Sequence, residues 1–87
     1  MSVESENRVT NFPSPFNNGF TLRVAGEEST FFKMEVLSLD GKIVGEAELA
    51  CNAEHHIPAN AWTNGMYLMK IRTTKDNIVR KIVKYSP

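Results

Sequence analysis

Cysteine is scarce in this sequence, glycine is scattered, and no long apolar run is present. The single cysteine, Cys51, cannot form an internal disulfide. One thiol fits a reducing compartment, and it equally fits an exported domain stabilised by packing alone. No stretch approaches the ~20 apolar residues that a membrane-spanning helix needs. The five glycines occur singly, so the sequence has no glycine-rich phosphate-binding loop.

An excess of charge of either sign is also missing. Ten basic residues balance ten acidic ones, so the formal net charge at pH 7 is zero. Nucleic acid and acidic membrane surfaces both require a concentrated basic patch, and neither is expected as the main partner. The hydrophobic fraction of 41% is ordinary for a globular domain and argues against wholesale disorder. A chain of 87 residues is expected to form one domain with one modest core.

The first residues carry no secretory signal. Residues 2–7 are polar and acidic, where a signal peptide would have a basic region followed by an apolar core. The protein is therefore either cytosolic or a fragment of an exported protein on which Met1 is an artificial start. Residues 1–11 show no sustained period, so they are predicted to form a linker or a frayed entry segment.

Short alternating segments bounded by turns predict an all-β sandwich. The prolines of the segment Phe12–Phe16 exclude a helix there and favour an extended segment along a sheet edge, with both aromatic rings in a core. Asp40-Gly41 is a strong hairpin signal. The predicted strands after the proline segment are Phe20–Val24, Phe31–Leu39, Ile43–Leu49, Ala53–Ile57, Met66–Thr73 and Ile78–Lys84. Six or seven strands at a spacing of roughly 8–12 residues are typical of a sandwich.

No combination of residues predicts an enzyme, a metal site or a cofactor. Cys51 lies near His55 and His56, but no further group completes a catalytic triad. Adjacent histidines on a strand point to opposite faces, so these two cannot chelate one metal ion together. Glu46 and Glu48 share a strand face and are interpreted as a solvated surface rather than an acid–base pair.

The basic residues of the last two strands and the single tryptophan, Trp62, are also considered as binding residues. The basic residues there lack interleaved aromatics and are predicted to form a solvent face. They are Lys70, Arg72, Lys75, Arg80, Lys81 and Lys84. Trp62 is predicted to anchor the core, close to Gly65, which is expected to turn with positive φ. If Trp62 or Phe31-Phe32 were exposed as an aromatic platform, a carbohydrate-binding module would be favoured instead.

Several of these segments, taken in order, resemble one family. The opening segment is Phe12-Pro13-Ser14-Pro15-Phe16, the central segment is Asp40-Gly41-Lys42, and the closing segments are Trp62-x-x-Gly65-x-Tyr67 and Lys81-Ile82-Val83-Lys84. This order is similar to the C-terminal sorting domain, type A, of the type IX secretion system of Bacteroidetes. Ser14 stands where asparagine is most usual in that family, and Ser38 where an aspartate is often found.

The resemblance implies an immunoglobulin-like antiparallel β-sandwich of about seven strands, placed after an exported cargo. Residues 12–87 would be the sorting domain and residues 1–11 the linker in which a sortase cuts, so Met1 is interpreted as an artificial start. The expected location is the periplasm in transit, and then the cell surface or the medium.

The resemblance also implies that the outer-membrane translocon recognises the segment Lys81, Ile82, Val83 and Lys84. Lys81 and Lys84 are expected to supply charge, while Ile82 and Val83 anchor the strand. The alternative function is a non-enzymatic immunoglobulin- or fibronectin-like binding or adhesion module. Exposed edge strands leave open whether the domain also dimerises through its edges.

Overall fold

The computed structural model describes residues 9–13 and 16–85, and this part of the chain consists of strands and connecting turns, with no helix. The seven strands are β1 (Val9–Phe12), β2 (Gly19–Val24), β3 (Phe31–Ser38), β4 (Ile43–Ala50), β5 (Glu54–Pro58), β6 (Gly65–Arg72) and β7 (Asn77–Lys84). All six strands predicted after the proline segment are present, with bounds that differ by one residue or less at every end.

Two antiparallel sheets form the sandwich. The three-stranded sheet has the order β1-β2-β5, and the four-stranded sheet has the order β4-β3-β6-β7. The predicted all-β, immunoglobulin-like antiparallel sandwich of seven strands is thereby confirmed.

The core lies between the sheets and follows the alternation of the strands. Phe20 and Leu22 are buried from β2, while Phe32 and Met34 are buried from β3. Their neighbours in sequence point to the outer faces, because side chains alternate along a strand. Burial of each such side chain contributes about 1.5–3 kcal/mol to the free energy of folding.

β1 changes the predicted domain boundary. Val9 is buried and pairs with Val24, and the carbonyl oxygen of Val9 accepts a hydrogen bond from Arg80 Nη1 at 2.8 Å. Residues 9–11 therefore belong to the fold and not to a linker, contrary to the prediction for residues 1–11. The sequence concealed this strand because it is only four residues long and half of it, Thr10 and Asn11, is polar.

The proline segment carries the chain from one sheet to the other. The Phe16 amide donates to the Val83 carbonyl oxygen at 3.0 Å, and the Tyr85 amide donates to the Phe16 carbonyl oxygen at 2.8 Å. Phe16 is thus bridged in parallel to Lys84 at the edge of the four-stranded sheet, and its ring is buried. The predicted position at a sheet edge is confirmed for Phe16, whereas Pro15 and the side chain of Phe12 lie outside the described residues.

The β3–β4 turn is the predicted hairpin. The Ser38 amide donates to the Lys42 carbonyl oxygen at 2.8 Å, and Gly41 has a φ of 88°, which favours glycine. The Ser38 hydroxyl donates to the Asp40 carboxylate. This hydrogen bond, together with one from the backbone at Lys42, lowers the pKa of Asp40 below its ordinary value.

The sandwich has two distinct ends. At one end β1 begins, and the 25–30, 51–53 and 73–76 loops connect strands. Residue pairs at this end are Val9 with Val24, Phe31 with Ala50, and Arg72 with Asn77. We call it the N-terminal pole. The opposite end, the C-terminal pole, contains Phe16, the β3–β4 turn, the 59–64 loop and the end of β7.

Candidate functional site

The predicted recognition segment divides between the two faces of β7. Ile82 and Lys84 point inward and are 1% and 3% exposed, whereas Lys81 is exposed and Val83 is half-buried on the outer face. Lys84, which was expected to supply charge, therefore lies inside the sandwich, and Val83, which was expected to anchor the strand, lies on its outer face. Alternation requires this division, because Ile82 lies opposite the buried Tyr67 in the inner row.

The basic residues of the last strands are likewise not one solvent face. Lys70, Arg72, Lys75 and Lys81 are exposed as predicted. Arg80 instead reaches the Val9 carbonyl oxygen and ties β7 to β1, and Lys84 is buried. Among the described residues, no buried side-chain nitrogen or oxygen lacks a hydrogen-bond partner.

The outer face of the four-stranded sheet carries a contiguous group of apolar residues, which we call the apolar strip. Ile43, Leu37, Leu68 and Lys81 lie opposite one another across the four strands, and Met66 lies opposite Val83. The apolar strip consists of Leu37, Ile43, Met66, Leu68 and Val83. Ile43, Met66 and Leu68 are 51%, 43% and 37% exposed. Isolated exposed apolar residues are common, whereas these five lie side by side in two neighbouring rows.

The two edges of this outer face differ in charge. Glu46 and Glu48 are exposed on β4, where they lie opposite Glu35 and Lys33 of β3. β6 and β7 present Lys70, Arg72 and Lys81 and no acidic side chain. The half of the face formed by β6 and β7 is therefore apolar and basic, while the β4 edge is acidic.

An aromatic cluster lies behind the apolar strip at the C-terminal pole. The Trp62 ring packs against Phe16, Phe20 and Tyr67, with centroid distances of 5.9, 6.2 and 5.1 Å. Trp62 is half-buried and packed against the core, as predicted. Its ring is occupied by these contacts and is not part of an exposed platform. Of the other two candidates for a platform, Phe32 is buried, so Phe31 alone is exposed.

Tyr67 forms a structural feature that the sequence analysis missed. Its hydroxyl donates to the Thr63 carbonyl oxygen at 2.5 Å and so closes the corner before β6. A tyrosine that bonds back to the backbone a few residues upstream is typical of immunoglobulin-like sandwiches. The spacing Thr63-x-Gly65-x-Tyr67 was the available signal. Gly65 has a φ of 146°, which confirms the predicted positive φ.

The residues considered for chemistry remain apart. His55 Nε2 lies 2.8 Å from the Ala50 carbonyl oxygen, whereas His56 is exposed on the other face. Within residues 9–13 and 16–85, no group of three or more His, Cys, Asp or Glu side chains could hold a metal ion. A search of the same ranges for a helix long and apolar enough to cross a membrane finds none.

The predicted motif residues converge on the C-terminal pole. Phe16, Trp62 and Tyr67 meet in the aromatic cluster, and a groove links Asp40 of the β3–β4 turn to Gly65. Residues 10–85 match the profile of the secretion system C-terminal sorting domain family, the sorting domains of the type IX system. The chain belongs to this family. The match confirms the resemblance drawn from the motifs. No curated protein matches the sorting domain.

Membership in the family gives the sorting domain its general role. It is a C-terminal secretion signal of the type IX system, and the protein that carries it is secreted or placed on the cell surface after passing through the periplasm. A cargo is fused on its N-terminal side, and the machinery of the type IX system is its partner.

Proposed function

We propose that the sorting domain directs its cargo through the type IX outer-membrane translocon and is then cut off by a sortase during cell-surface anchoring. The observation that supports this most is the convergence of the family motifs on the C-terminal pole. Phe16, Asp40, Trp62, Tyr67 and Lys84 come from distant parts of the sequence and meet at the end opposite Val9. A cargo attached before Val9 joins the domain at the other pole.

The translocon, in this proposal, contacts β7 in the folded domain. Of the segment Lys81–Lys84, only Lys81 and Val83 present side chains on the outer face. Ile82 and Lys84 hold the strand in the sandwich instead. The outer edge of β7 bonds to Phe16 at Val83 and Tyr85, so strand addition there would compete with the proline segment. Recognition by side chains on the outer face is therefore favoured.

The sortase cut is placed before Val9. A protease needs an extended, unpaired backbone, and β1 is paired with β2 from Val9 to Phe12. Mass spectrometry of the mature cargo should therefore find its last residue at or before position 8. A cargo whose last residue is Val9 or any later residue would contradict this placement.

Export of a reporter tests the proposal. A signal peptide and a fluorescent reporter are fused before residues 1–87 and expressed in a Bacteroidetes host and in a translocon-deficient strain. The reporter is expected at the surface only when the translocon is intact, and removal of residues 78–87 should leave it in the periplasm. Surface display of the shortened fusion, at the level of the full domain, would show that recognition does not need β7.

A binding or adhesion module remains the alternative function. It has less support because Trp62 is half-buried and its ring packs against Phe16, Phe20 and Tyr67. Retention of the complete fusion in the periplasm of both strains would favour this alternative.

A further inference from the structure

The apolar strip has no partner within the described part of the domain, although its residues are large. Leu68 and Met66 are exposed at the middle and start of β6, and Ile43 is exposed at the start of β4. Together with Leu37 and Val83 they occupy two neighbouring rows of the outer face. Leaving such an apolar surface in water costs free energy, which contact with another apolar surface removes.

The charges around the strip define the chemistry of a partner. Lys81 lies opposite Leu68 in the same row, with no carboxylate beside it on β6 or β7, and Lys70, two residues further along β6, lies opposite Glu35 of β3. No acidic side chain points outward from β6 or β7, whereas Glu46 and Glu48 occupy the far edge on β4. An acidic partner is therefore attracted to the β6–β7 side of the face and repelled from the β4 side.

The position of the strip gives a second, independent argument. Met66, Leu68 and Val83 lie towards the C-terminal pole, whereas β1 begins at the opposite pole with Val9. A bulky cargo before Val9 is therefore attached at the pole away from the strip. Behind it, Tyr67 and Trp62 fix the start of β6 through the hydrogen bond to Thr63 and the ring contact. The strip is thus accessible and held on a rigid support, as a recognition surface requires.

We infer that the apolar strip, with Lys81 and Lys70 beside it, docks a protein component of the export machinery whose own surface is apolar and rimmed by carboxylates. This inference rests on the proposed function and names the surface and the partner chemistry that the function uses. Leu68 and Met66 are its apolar anchors, because both lie on the β6–β7 side, next to the cations. Lys81 provides the charge that orients the partner.

Two substitutions test the surface in the full reporter fusion. Leu68→Glu places a charge in the apolar strip, and Lys81→Glu reverses the adjacent cation. Each is expected to lower the surface-exposed reporter about tenfold or more, as is usual for the central residues of an interface. The matched controls are Thr10→Glu, on the outer face of the three-stranded sheet opposite Arg23, and Lys75→Glu, at the N-terminal pole. Both controls should stay within about twofold of the unmodified fusion.

The outcomes separate this inference from the proposed function. Thermal unfolding of the purified chain first shows which variants fold. If Leu68→Glu does not fold, Lys81→Glu still tests the docking surface. If removal of residues 78–87 blocks export while folded Leu68→Glu and Lys81→Glu are exported normally, the docking surface is wrong and the proposed function stands. Retention of the complete fusion in the periplasm of both strains would instead refute the proposed function.

Sedimentation of the purified chain tests whether a second copy of the domain covers the apolar strip instead. The acidic β4 edge of a second copy could also supply carboxylates to Lys81 and Lys70. The inference expects a monomer at micromolar concentration, and it expects Leu68→Glu to leave the sedimentation coefficient unchanged. A dimer that Leu68→Glu dissociates would assign the apolar strip to self-association and overturn the inference.

Discussion

At the scale of single residues, Gly45 determines where the Trp62 ring can lie. Gly45 is in the inner row of β4, and a Cβ atom added there would be 3.2 Å from an indole carbon of Trp62. The indole ring therefore packs directly on the backbone of β4 at Gly45. The same ring also contacts the Tyr67 ring of β6. Glycine at this position is explained by the close approach of the indole, and the sequence alone could not reveal it because it depends on packing between distant segments.

Gly45→Val should displace Trp62. Two methyl groups cannot fit where a single Cβ atom is already close, so we expect a loss of about 1–3 kcal/mol in the free energy of unfolding. The tryptophan emission should shift to the red, and its quenching by acrylamide should rise. Glu46→Val is the matched control, because this neighbouring side chain is exposed on the outer face. Unchanged emission from Gly45→Val would contradict the packing described for Trp62.

Tyr67→Phe isolates the hydrogen bond to Thr63. The ring stays in the core and only the hydroxyl donor is lost, so unfolding in urea should show a decrease of about 0.5–1.5 kcal/mol. Tyr85→Phe removes the same group from an exposed ring and should change the stability by less than about 0.5 kcal/mol. Equal effects of the two substitutions would show that the corner hydrogen bond has no special role.

At the scale of elements, β7 shows where sequence patterns succeed and where they fail. The existence of the strand could be predicted from its apolar–basic run and the preceding turn. Its orientation could not, because apolar residues occupy both alternating sets: Ile78 and Ile82 in one, Val79 and Val83 in the other. Only the pairing with β6, which places Ile82 opposite Tyr67, determines the inner face.

The two lysines at the ends of the recognition segment should therefore behave differently. Lys84→Ala removes a buried side chain, and we expect urea unfolding to show a loss of about 1–3 kcal/mol. Lys81→Ala, the same change on the outer face three residues earlier, should alter the free energy of unfolding by less than about 0.5 kcal/mol. If Lys81→Ala destabilised the chain as much as Lys84→Ala, the division of β7 into inner and outer faces would be incorrect.

At the scale of the whole molecule, the fold separates attachment from recognition. β1 begins at one pole, and the family motifs gather at the other, along a body whose longest extent is 38 Å. The motif residues could be chosen from the sequence by their order, and the all-β class from the spacing of strands and turns. That the motif residues meet at one pole could not be predicted from the sequence, because it depends on the contact of Phe16 with β7 and on the packing of Trp62.

Truncation measures how much β1 contributes to the stability of the domain. A chain that begins at Val9 keeps the pairing of β1 with β2 and the hydrogen bond from Arg80, whereas a chain that begins at Pro13 loses both. Loss of the buried Val9 side chain and of the strand ladder should make the second chain less stable than the first by about 2 kcal/mol or more. Urea unfolding of the two chains provides the comparison. Equal stability would return residues 9–11 to the linker, and the sortase cut could then lie after Val9.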